Sequence, residues 1–326
     1  MRFDNHTLYR ISPKTKEMVQ FLKNMEELAY STGYNFFSGV HQEGVPVDIL
    51  VPPKELEKFK EILEHDDIDG VLLNTNIQEA IDNEGVSAEV GASNFGWNRY
   101  HTYDEISQWL REMVFNYDDK LTLLNAGRTF EGRDILGVKL EIGNRRNRRA
   151  VFIEVNIHAR EWVTSATATY ILNQLLINQD AAVRELAESY VWYIFPVANP
   201  DGFVFSHTNN RLWRKTRTRS SILCFGTDPN RNWPYQWMQG GASNQPCSDI
   251  YAGPRPLSEP STAALSNFID TVGQDLIAYI SFHSYSQMLL LPYEHTTRHL
   301  DNYNEMLAIG REAITKPCLE DMELHT

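Results

Sequence analysis

Hydrophobic residues in the N-terminal quarter of the chain follow two alternating kinds of spacing. Short apolar runs, which are typical of β-strands, occur at 8–11, 34–37, 45–51 and 70–73. Two segments between these runs instead repeat their apolar residues with the spacing of one helix face. These residues are Met18, Phe21, Leu22, Met25 and Leu28 in the first segment and Leu56, Phe59, Ile62 and Leu63 in the second. The order βαββαβ predicts a small ferredoxin-like domain.

Helices and longer apolar strands alternate in the rest of the chain. A helix that begins near 102 has one apolar face, formed by Ile106, Trp109, Leu110 and Met113. Strands are predicted at 135–142, 150–157, 190–197 and 276–282, and further helices at 164–179, 180–189, 258–272 and 301–314. This alternation predicts an α/β fold in which helices sandwich a mixed β-sheet.

An acidic stretch with Gly and Ser separates the two patterns at 76–98 and indicates a linker. Neither Lys nor Arg occurs between Lys60 and Arg99. We therefore predict a small domain at 1–82, a connecting segment at 83–99 and a larger domain at 100–326.

Composition and charge narrow the possible partners. Hydrophobic residues make up 42% of the 326 residues, which is typical of a globular protein. The net charge of −13 argues against a nucleic-acid partner. The basic cluster at 145–149 predicts a hairpin turn rather than a binding patch. No run approaches the roughly 18 apolar residues of a membrane span, and the first residues lack the apolar segment of a signal peptide. We expect neither a nucleic-acid nor a membrane partner.

Three residues suggest a metal site. His158 and Glu161 lie where the apolar run 151–157 ends, and His283 follows the predicted strand 276–282. Imidazole and carboxylate groups are the ligands of catalytic zinc, which keeps a further position for water. Since ligands of such sheets lie at the carboxyl ends of strands, these side chains can converge there. The alternative is that both histidines are hydrogen-bonded structural residues at the edge of the core.

The region 209–252 has little periodicity and is rich in Asn, Gly, Trp and Arg. A loop of that length in a compact domain is usually functional. Its segments 210–215 and 228–233 each place Arg beside Asn and Trp. A guanidinium can bind a carboxylate through two parallel hydrogen bonds, and an arginine near zinc can stabilise an oxyanion. Solvent-exposed loop arginines without such a role are the alternative.

The three cysteines, Cys224, Cys247 and Cys318, leave one unpaired if a disulfide forms. A bridge between Cys224 and Cys247 would suit an oxidising compartment. Free buried thiols are the alternative and would suit the cytosol.

Five segments, in order, resemble motifs of the zinc metallocarboxypeptidases of the pancreatic carboxypeptidase A/B type. The segments are His-Ala-Arg-Glu-Trp (158–162), Asn-Pro-Asp-Gly-Phe (199–203), Arg-Leu-Trp-Arg-Lys (211–215), Asp-Pro-Asn-Arg-Asn-Trp (228–233) and Ser-Phe-His-Ser-Tyr-Ser (281–286). The resemblance extends from about residue 8 to about residue 295. It implies a carboxypeptidase-like fold, hydrolysis of C-terminal peptide bonds of peptides and proteins, and a zymogen whose βαββαβ propeptide covers the active-site cleft.

The resemblance also implies roles for individual residues. His158, Glu161 and His283 match the ligands of one zinc ion (Zn2+), and Arg214 matches the arginine that stabilises the oxyanion. Positions that match substrate-binding residues are Asn230 and Arg231, which bind the C-terminal carboxylate, and the accessory positions Arg160, Arg211, Ser284 and Tyr285. Cys224 and Cys247 match the family disulfide. A secreted monomer, activated by a protease, is the expected form.

The C-terminal part departs from the family pattern. The family's general base is a glutamate on a strand well beyond His283, but the likeness fades after about Tyr293 and the chain ends at Thr326. Glu323-Leu324 echoes the base segment only faintly, and Cys318 has no obvious partner. We identify no general base and expect a C-terminally truncated member. The alternative is a non-catalytic isoform, or a fragment, that binds zinc and peptide C-termini.

Before Arg99, the connecting segment also lacks the basic residues that proteolytic activation by a trypsin-like protease would require. Trypsin-like processing requires Lys or Arg, and the first basic residue after Lys60 is Arg99. We expect either cleavage at Arg99 or the action of a different protease.

Overall fold

The computed structural model describes residues 1–37, 39–66, 68–84, 95–143, 148–285, 288–293 and 295–315. The chain divides into two compact units, Met1–Ser284 and Tyr285–Thr326.

A four-stranded antiparallel sheet forms the N-terminal part of the first unit. Its strands are β1 (Thr7–Ile11), β2 (Asn35–Phe36), β3 (Val47–Val51) and β4 (Gly70–Asn74), in the order β2-β3-β1-β4. The helices are α1 (Lys16–Glu27), α2 (Ala29–Thr32), α3 (Leu56–His65) and α4 (Ile77–Asn83). The order and pairing of the strands confirm the ferredoxin-like prediction.

The predicted helix faces form the core of this small sheet. Leu22 of α1 and Phe59 of α3 are fully buried, and they pack with Val47, Ile49 and Val51 of β3. Burial of these side chains on one face of the sheet provides the main stabilisation of this part.

Helix α4 corrects the prediction that 76–98 is entirely a linker. Its residues Ile77 and Ile81 lie one helical turn apart and pack against Phe3, Leu50 and Leu212. The acidic composition of the stretch hid this short apolar face. Residues 85–94 of the predicted linker lie outside the described residues.

A five-stranded mixed sheet forms the centre of the larger part. Its strands are β5 (Leu121–Arg128), β6 (Asp134–Leu140), β7 (Ala150–Val155), β8 (Val191–Phe195) and β9 (Leu276–Phe282), in the order β5-β6-β8-β7-β9. The pairs β5–β6 and β6–β8 are antiparallel, whereas β7 is parallel to both β8 and β9. Strand β5 was not predicted from the sequence.

The predicted hairpin at 145–149 is wrong. Strand β8 lies between β6 and β7, so the segment that joins these two strands crosses over instead of closing a hairpin. Arg148 donates to the carbonyl oxygens of Ile142 (2.5 Å) and Gly143 (3.1 Å), while Arg145 and Arg146 lie outside the described residues.

Helices cover both faces of the mixed sheet, as predicted. They are α5 (Tyr103–Asn116), α6 (Trp162–Ile177), α7 (Ala181–Ser189), α8 (Pro200–Thr208) and α9 (Pro260–Val272). Residues of α5, α6, α7 and α8 share one core with Val151, Ile153 and Val155 of β7. On the other face, α9 packs against Phe152 and Phe195. Both faces of β7 are buried, which explains why apolar residues occupy consecutive positions of this strand apart from Glu154.

The region 209–252 contains little regular structure, as predicted. It has a short 3-10 turn at Pro229–Arg231 and isolated bridges between Arg219 and Phe225 and between Ser243 and Tyr251. A disulfide joins Cys224 to Cys247 and confirms that prediction.

In the second unit, the described residues include helix α10 (Tyr303–Thr315). The three C-terminal residues singled out from the sequence, Cys318, Glu323 and Leu324, lie outside the described residues. None of the helices in the described part of the chain is long and apolar enough to cross a membrane.

Glu105 stabilises the start of α5 through a capping box. The Thr102 hydroxyl accepts from the Glu105 backbone N–H (3.3 Å), and the Thr102 backbone N–H donates to the Glu105 carboxylate (2.7 Å). Arg99 donates to the same carboxylate at 2.5 Å. The Arg99 guanidinium, above all, lowers the pKa of Glu105 to about 2, although partial burial opposes this.

Replacing Glu105 with Gln is therefore expected to lower the free energy of unfolding by up to about 1 kcal/mol at pH 7, because it removes the partly exposed ion pair with Arg99. The helix cap itself is retained, since Gln can still accept from the Thr102 backbone N–H. Because the folded-state pKa is depressed, the difference between the proteins should shrink as the pH falls from about 4.5 towards about 2. Urea denaturation at pH 7 and pH 3 measures this difference in unfolding free energy, and Glu112→Gln on the same helix is the control. A difference that is equal at both pH values would contradict the role of the charge.

Candidate metal centre and carboxylate-binding cleft

The candidate metal ligands lie at the carboxyl ends of two neighbouring parallel strands. Val155, the last residue of β7, pairs with Phe282, the last residue of β9. The chain leaves β7 through Asn156, which has a left-handed φ of 55°, a conformation that Asn tolerates. Its side-chain amide donates to the Glu161 carbonyl (3.1 Å), which fixes the turn that leads into α6. The two strand ends thus bring residues distant in sequence to one edge of the sheet.

The structure brings His158, Glu161 and His283 together. His158 Nδ1 lies 2.9 Å from Glu161 Oε1, and His283 Nδ1 lies 3.1 Å from Glu161 Oε2. The two Nδ1 atoms are 3.1 Å apart. One ligand atom from each residue can be chosen so that all three lie within 4.8 Å of one another. Two imidazole nitrogens and one carboxylate fit a catalytic zinc ion, which binds three protein ligands.

The electrostatics of this cluster favour a cation. Burial by itself would raise the pKa of Glu161, but His158 and His283 outweigh it and hold that pKa below its usual range. Burial would lower the pKa of His283, but the hydrogen bond to Glu161 reverses the direction and raises it. The carboxylate therefore stays ionised beside two ring nitrogens, and a divalent cation would replace their protons.

Asp228 connects this cluster to the arginine-rich region. Its Oδ1 lies 3.2 Å from His158 Nε2 and accepts from the Asn230 backbone N–H at 2.9 Å. Its Oδ2 accepts from the Arg214 guanidinium at 2.8 and 3.0 Å. Burial would raise the pKa of Asp228, but Arg214 and His158 hold it well below its usual range. One fully buried carboxylate thus orients a candidate ligand and an arginine at once.

Arg214 lies beside the metal cluster. Its side chain is 12% exposed, and its backbone carbonyl accepts from the Ala159 N–H at 3.0 Å. Burial would lower the pKa of Arg214, but the negative charges of Asp228 and Glu161 raise it. The group is a permanent positive charge near the place where a metal would bind, which is the arrangement needed to stabilise an oxyanion.

Arg231 and Arg214 line the same narrow cleft. Arg231 donates to the carbonyl oxygens of Gly241 (2.7 Å) and Asn230 (3.0 Å), while the Asn230 residue itself is exposed. The remaining lining residues of the larger part are Ser248, Asp249 and Ile250, and those of the N-terminal part are Glu26, Ala29, Phe36 and Gly39.

Two further arginines contact the N-terminal part directly. Arg160 donates to Asn35 Oδ1 (2.7 Å) and to the carbonyl oxygens of Phe36 (2.9 Å) and Phe37 (3.1 Å). Arg211 forms a two-fold hydrogen bond with the Glu84 carboxylate at 2.5 and 2.6 Å. Planar guanidinium–carboxylate pairs of this kind are geometrically specific. The N-terminal part therefore occupies Arg160 and Arg211, the two arginines that the motifs indicate as accessory substrate-binding residues.

Ser284 and Tyr285 are less informative. Ser284 is half-buried and directly follows His283 at the end of the first unit. Tyr285 is the first residue of the second unit and is exposed. Their roles stay predictions.

Sequence reasoning missed several residues of this site. The sequence identifies Asp228 only as part of a motif, Glu26 only as a member of the small domain and Glu84 only as a residue of the connecting segment. Glu154, a residue of β7 that is only 1% exposed, was also missed. A single acidic residue within the apolar run 150–157 was the signal that could have identified it.

Comparison with known proteins agrees with the resemblance seen in the motifs. Residues 106–318 match the family described as zinc carboxypeptidase, and residues 9–84 match the carboxypeptidase activation peptide. Zinc carboxypeptidase A 1 of Anopheles gambiae is 43% identical over 315 residues, which cover 96% of this chain and 72% of that protein. Carboxypeptidase A1 of Bos taurus is 35% identical over 321 residues, covering 96% and 76%. The crystal structure of carboxypeptidase A from Helicoverpa armigera superposes with a TM-score of 0.85 at 25% identity, covering 95% and 77%.

Proposed function

We propose that this chain, which belongs to the zinc carboxypeptidase family and contains its activation peptide, hydrolyses the C-terminal peptide bond of peptides and proteins. The cofactor of the family is one zinc ion. The observation that carries the proposal is the convergence of three ligand side chains beside a cleft lined by Arg214 and Arg231.

His158, Glu161 and His283 are the proposed zinc ligands. When bound there, zinc supplies a Lewis acid that polarises the scissile carbonyl and activates water. The donor set and the ionised state of Glu161 support this assignment. Asp228 accepts from His158 Nε2 and so leaves Nδ1 free to face the metal.

Arg214 is proposed to stabilise the negative charge that develops on the scissile carbonyl oxygen. Asp228 holds the guanidinium through two hydrogen bonds, so the group needs little reorganisation during the reaction. We assign none of the described residues as the general base.

Asn230 and Arg231 are proposed to bind the C-terminal carboxylate of the substrate. Their position next to Asp228 and Arg214 supports this, since the carboxylate would lie one residue from the bond to be cleaved. Arg160, Arg211 and Ser284 are proposed accessory substrate contacts, and the same role for Tyr285 rests on its motif alone.

The contacts between the N-terminal part and the proposed catalytic domain are those expected of a zymogen. We assign the activation peptide to 1–82, the activation segment to 83–99 and the catalytic domain to 100–326. Glu26 and Phe36 line the cleft, and Glu84 binds Arg211, so this part would block peptide entry until a protease removes it. The Cys224–Cys247 disulfide supports an extracellular enzyme, and a monomer is the expected form.

A second candidate is a protein that binds zinc and peptide C-termini without turnover. It is favoured by one observation: among the described residues we assign ligands and a carboxylate clamp, but no general base. The two functions differ only in turnover.

The test uses the zinc-loaded chain after removal of the activation peptide. This protein should release the last residue of a blocked dipeptide that has a free C-terminal carboxylate. It should not release that residue when the C-terminus of the same dipeptide is amidated, and a chelator should stop the hydrolysis. Arg231→Gln should lower kcat/KM by about 10- to 150-fold, the value of a lost charged hydrogen bond. Arg219→Gln, in an exposed loop, is the matched control and should leave kcat/KM unchanged.

Folded, zinc-loaded protein that binds the blocked dipeptide but releases no residue would overturn the proposed activity and favour the binding protein. Equal cleavage of acid and amide would show that the carboxylate clamp is wrongly assigned.

A further inference from the structure

We propose that Glu154 and Ser281 form a hydrogen-bonded relay that orients His283 and fixes its tautomer, so that Nδ1 faces the metal. Both act as positioning residues behind the zinc ligand. The proposal rests on the proposed zinc site and deepens it.

Strand register places the members of the relay next to one another. In the parallel pair β7–β9, Glu154 lies opposite Ser281, and both side chains point to the same face of the sheet. Ser281 Oγ lies 2.9 Å from Glu154 Oε2 and 3.3 Å from His283 Nε2. Tyr279, two residues earlier on β9, places its hydroxyl 3.0 Å from the same Glu154 oxygen.

The directions of these hydrogen bonds follow from the available hydrogens. A serine hydroxyl has one hydrogen, and Ser281 donates it to Glu154. Its oxygen is then left as an acceptor, so His283 Nε2 must carry the proton that it donates to Ser281. A neutral imidazole protonated on Nε2 has its free lone pair on Nδ1. That is the atom that lies 3.1 Å from both His158 Nδ1 and Glu161 Oε2.

The burial of Glu154 supports a role beyond packing. A carboxyl group that is 1% exposed costs free energy that an apolar side chain in the same strand would not. Among the described residues, Oε1 has no hydrogen-bond partner, so the site does not fully compensate this cost. Burial raises the pKa of Glu154.

The relay orients His283 through Nε2, as Asp228 orients His158 through its own Nε2. His158 Nε2 contacts a carboxylate directly, whereas His283 Nε2 reaches one through a hydroxyl. Loss of such an outer partner typically weakens metal binding by about 10- to 100-fold. We expect the lower end for Ser281, because the 3.3 Å contact is longer than an ordinary hydrogen bond.

The experiment compares two hydroxyl deletions at the same carboxylate oxygen. Ser281→Ala breaks the relay, whereas Tyr279→Phe removes the other hydroxyl and leaves the path to His283 intact. Zinc affinity of the full chain is measured by competition with a chelator, and thermal unfolding is measured on the metal-free proteins. We expect about 10-fold weaker zinc binding for Ser281→Ala, less than twofold for Tyr279→Phe, and recovery in Ser281→Thr, which restores the hydroxyl.

Unchanged zinc affinity in Ser281→Ala, or an equal loss in Tyr279→Phe, would overturn the relay. So would a loss of zinc affinity that only accompanies a lower unfolding temperature of the metal-free protein, since that reports a structural tie between β7 and β9. The variant His283→Ala distinguishes a failure of the relay from a failure of the proposed zinc site. If His283→Ala loses zinc while Ser281→Ala does not, only the relay fails, and if His283→Ala retains zinc, the site assignment fails.

Discussion

Replacing His283 with Ala is expected to abolish stoichiometric zinc binding at the proposed site. His283 supplies one of only two imidazole nitrogens in the cluster, and its Nδ1 lies 3.1 Å from both other members. The remaining pair, His158 and Glu161, cannot complete the three-ligand set of a catalytic site. The loss of affinity should therefore exceed the 10- to 100-fold that is typical of an outer hydrogen-bond partner.

Metal analysis after dialysis and competition with a chelator measure this effect, together with hydrolysis of the blocked dipeptide. His299→Ala is the matched control, because it removes an exposed imidazole in the second unit. The control should keep zinc and wild-type hydrolysis. Zinc retained at wild-type affinity by His283→Ala would show that the metal binds elsewhere.

Replacing Asp228 with Ala should be the most destabilising single substitution in the cleft. The side chain is fully buried and accepts hydrogen bonds from Arg214, His158 and the Asn230 backbone. Removing it leaves the Arg214 charge buried without its partner, which typically costs about 3–5 kcal/mol of unfolding free energy. It also frees the His158 ring, so zinc affinity should fall as well.

Urea denaturation of the metal-free proteins in a chelator separates the stability effect from the loss of zinc. Asp249→Asn is the matched control, because Asp249 also lines the cleft beside Arg214 but is half-buried. The double variant Asp228→Ala with Arg214→Met should regain part of the lost stability, since no buried charge is then left unpaired. Equal destabilisation by Asp228→Ala and Asp249→Asn would contradict the role of Asp228 as a shared partner.

Local periodicity was sufficient for most of the elements. The order βαββαβ, the buried faces of α1 and α3 and the strands β7 and β9 agree with the sequence prediction, because spacing within one element determines its buried side. The failures have local causes too. Strand β5 was missed because its polar and small residues interrupt the apolar pattern, and α4 because its two isoleucines lie in an acidic stretch.

The connections between elements could not be predicted in the same way. The hairpin expected at 145–149 failed because β8, far along the sequence, inserts between β6 and β7. Strand neighbours are decided by how hydrophobic faces of the whole sheet are covered, and no short segment contains that information.

The sequence by itself determined the chemical groups of the proposed site and their rough location. Motifs at strand ends and in the long loop identified His158, Glu161, His283, Arg214 and Arg231, because their chemistry depends on residue type. Only the tertiary structure decided the partners that orient them. Asp228 is 70 residues from His158, Ser281 is 127 from Glu154 and Glu84 is 127 from Arg211. Such contacts depend on strand register and loop packing, which arise only when distant segments share one core.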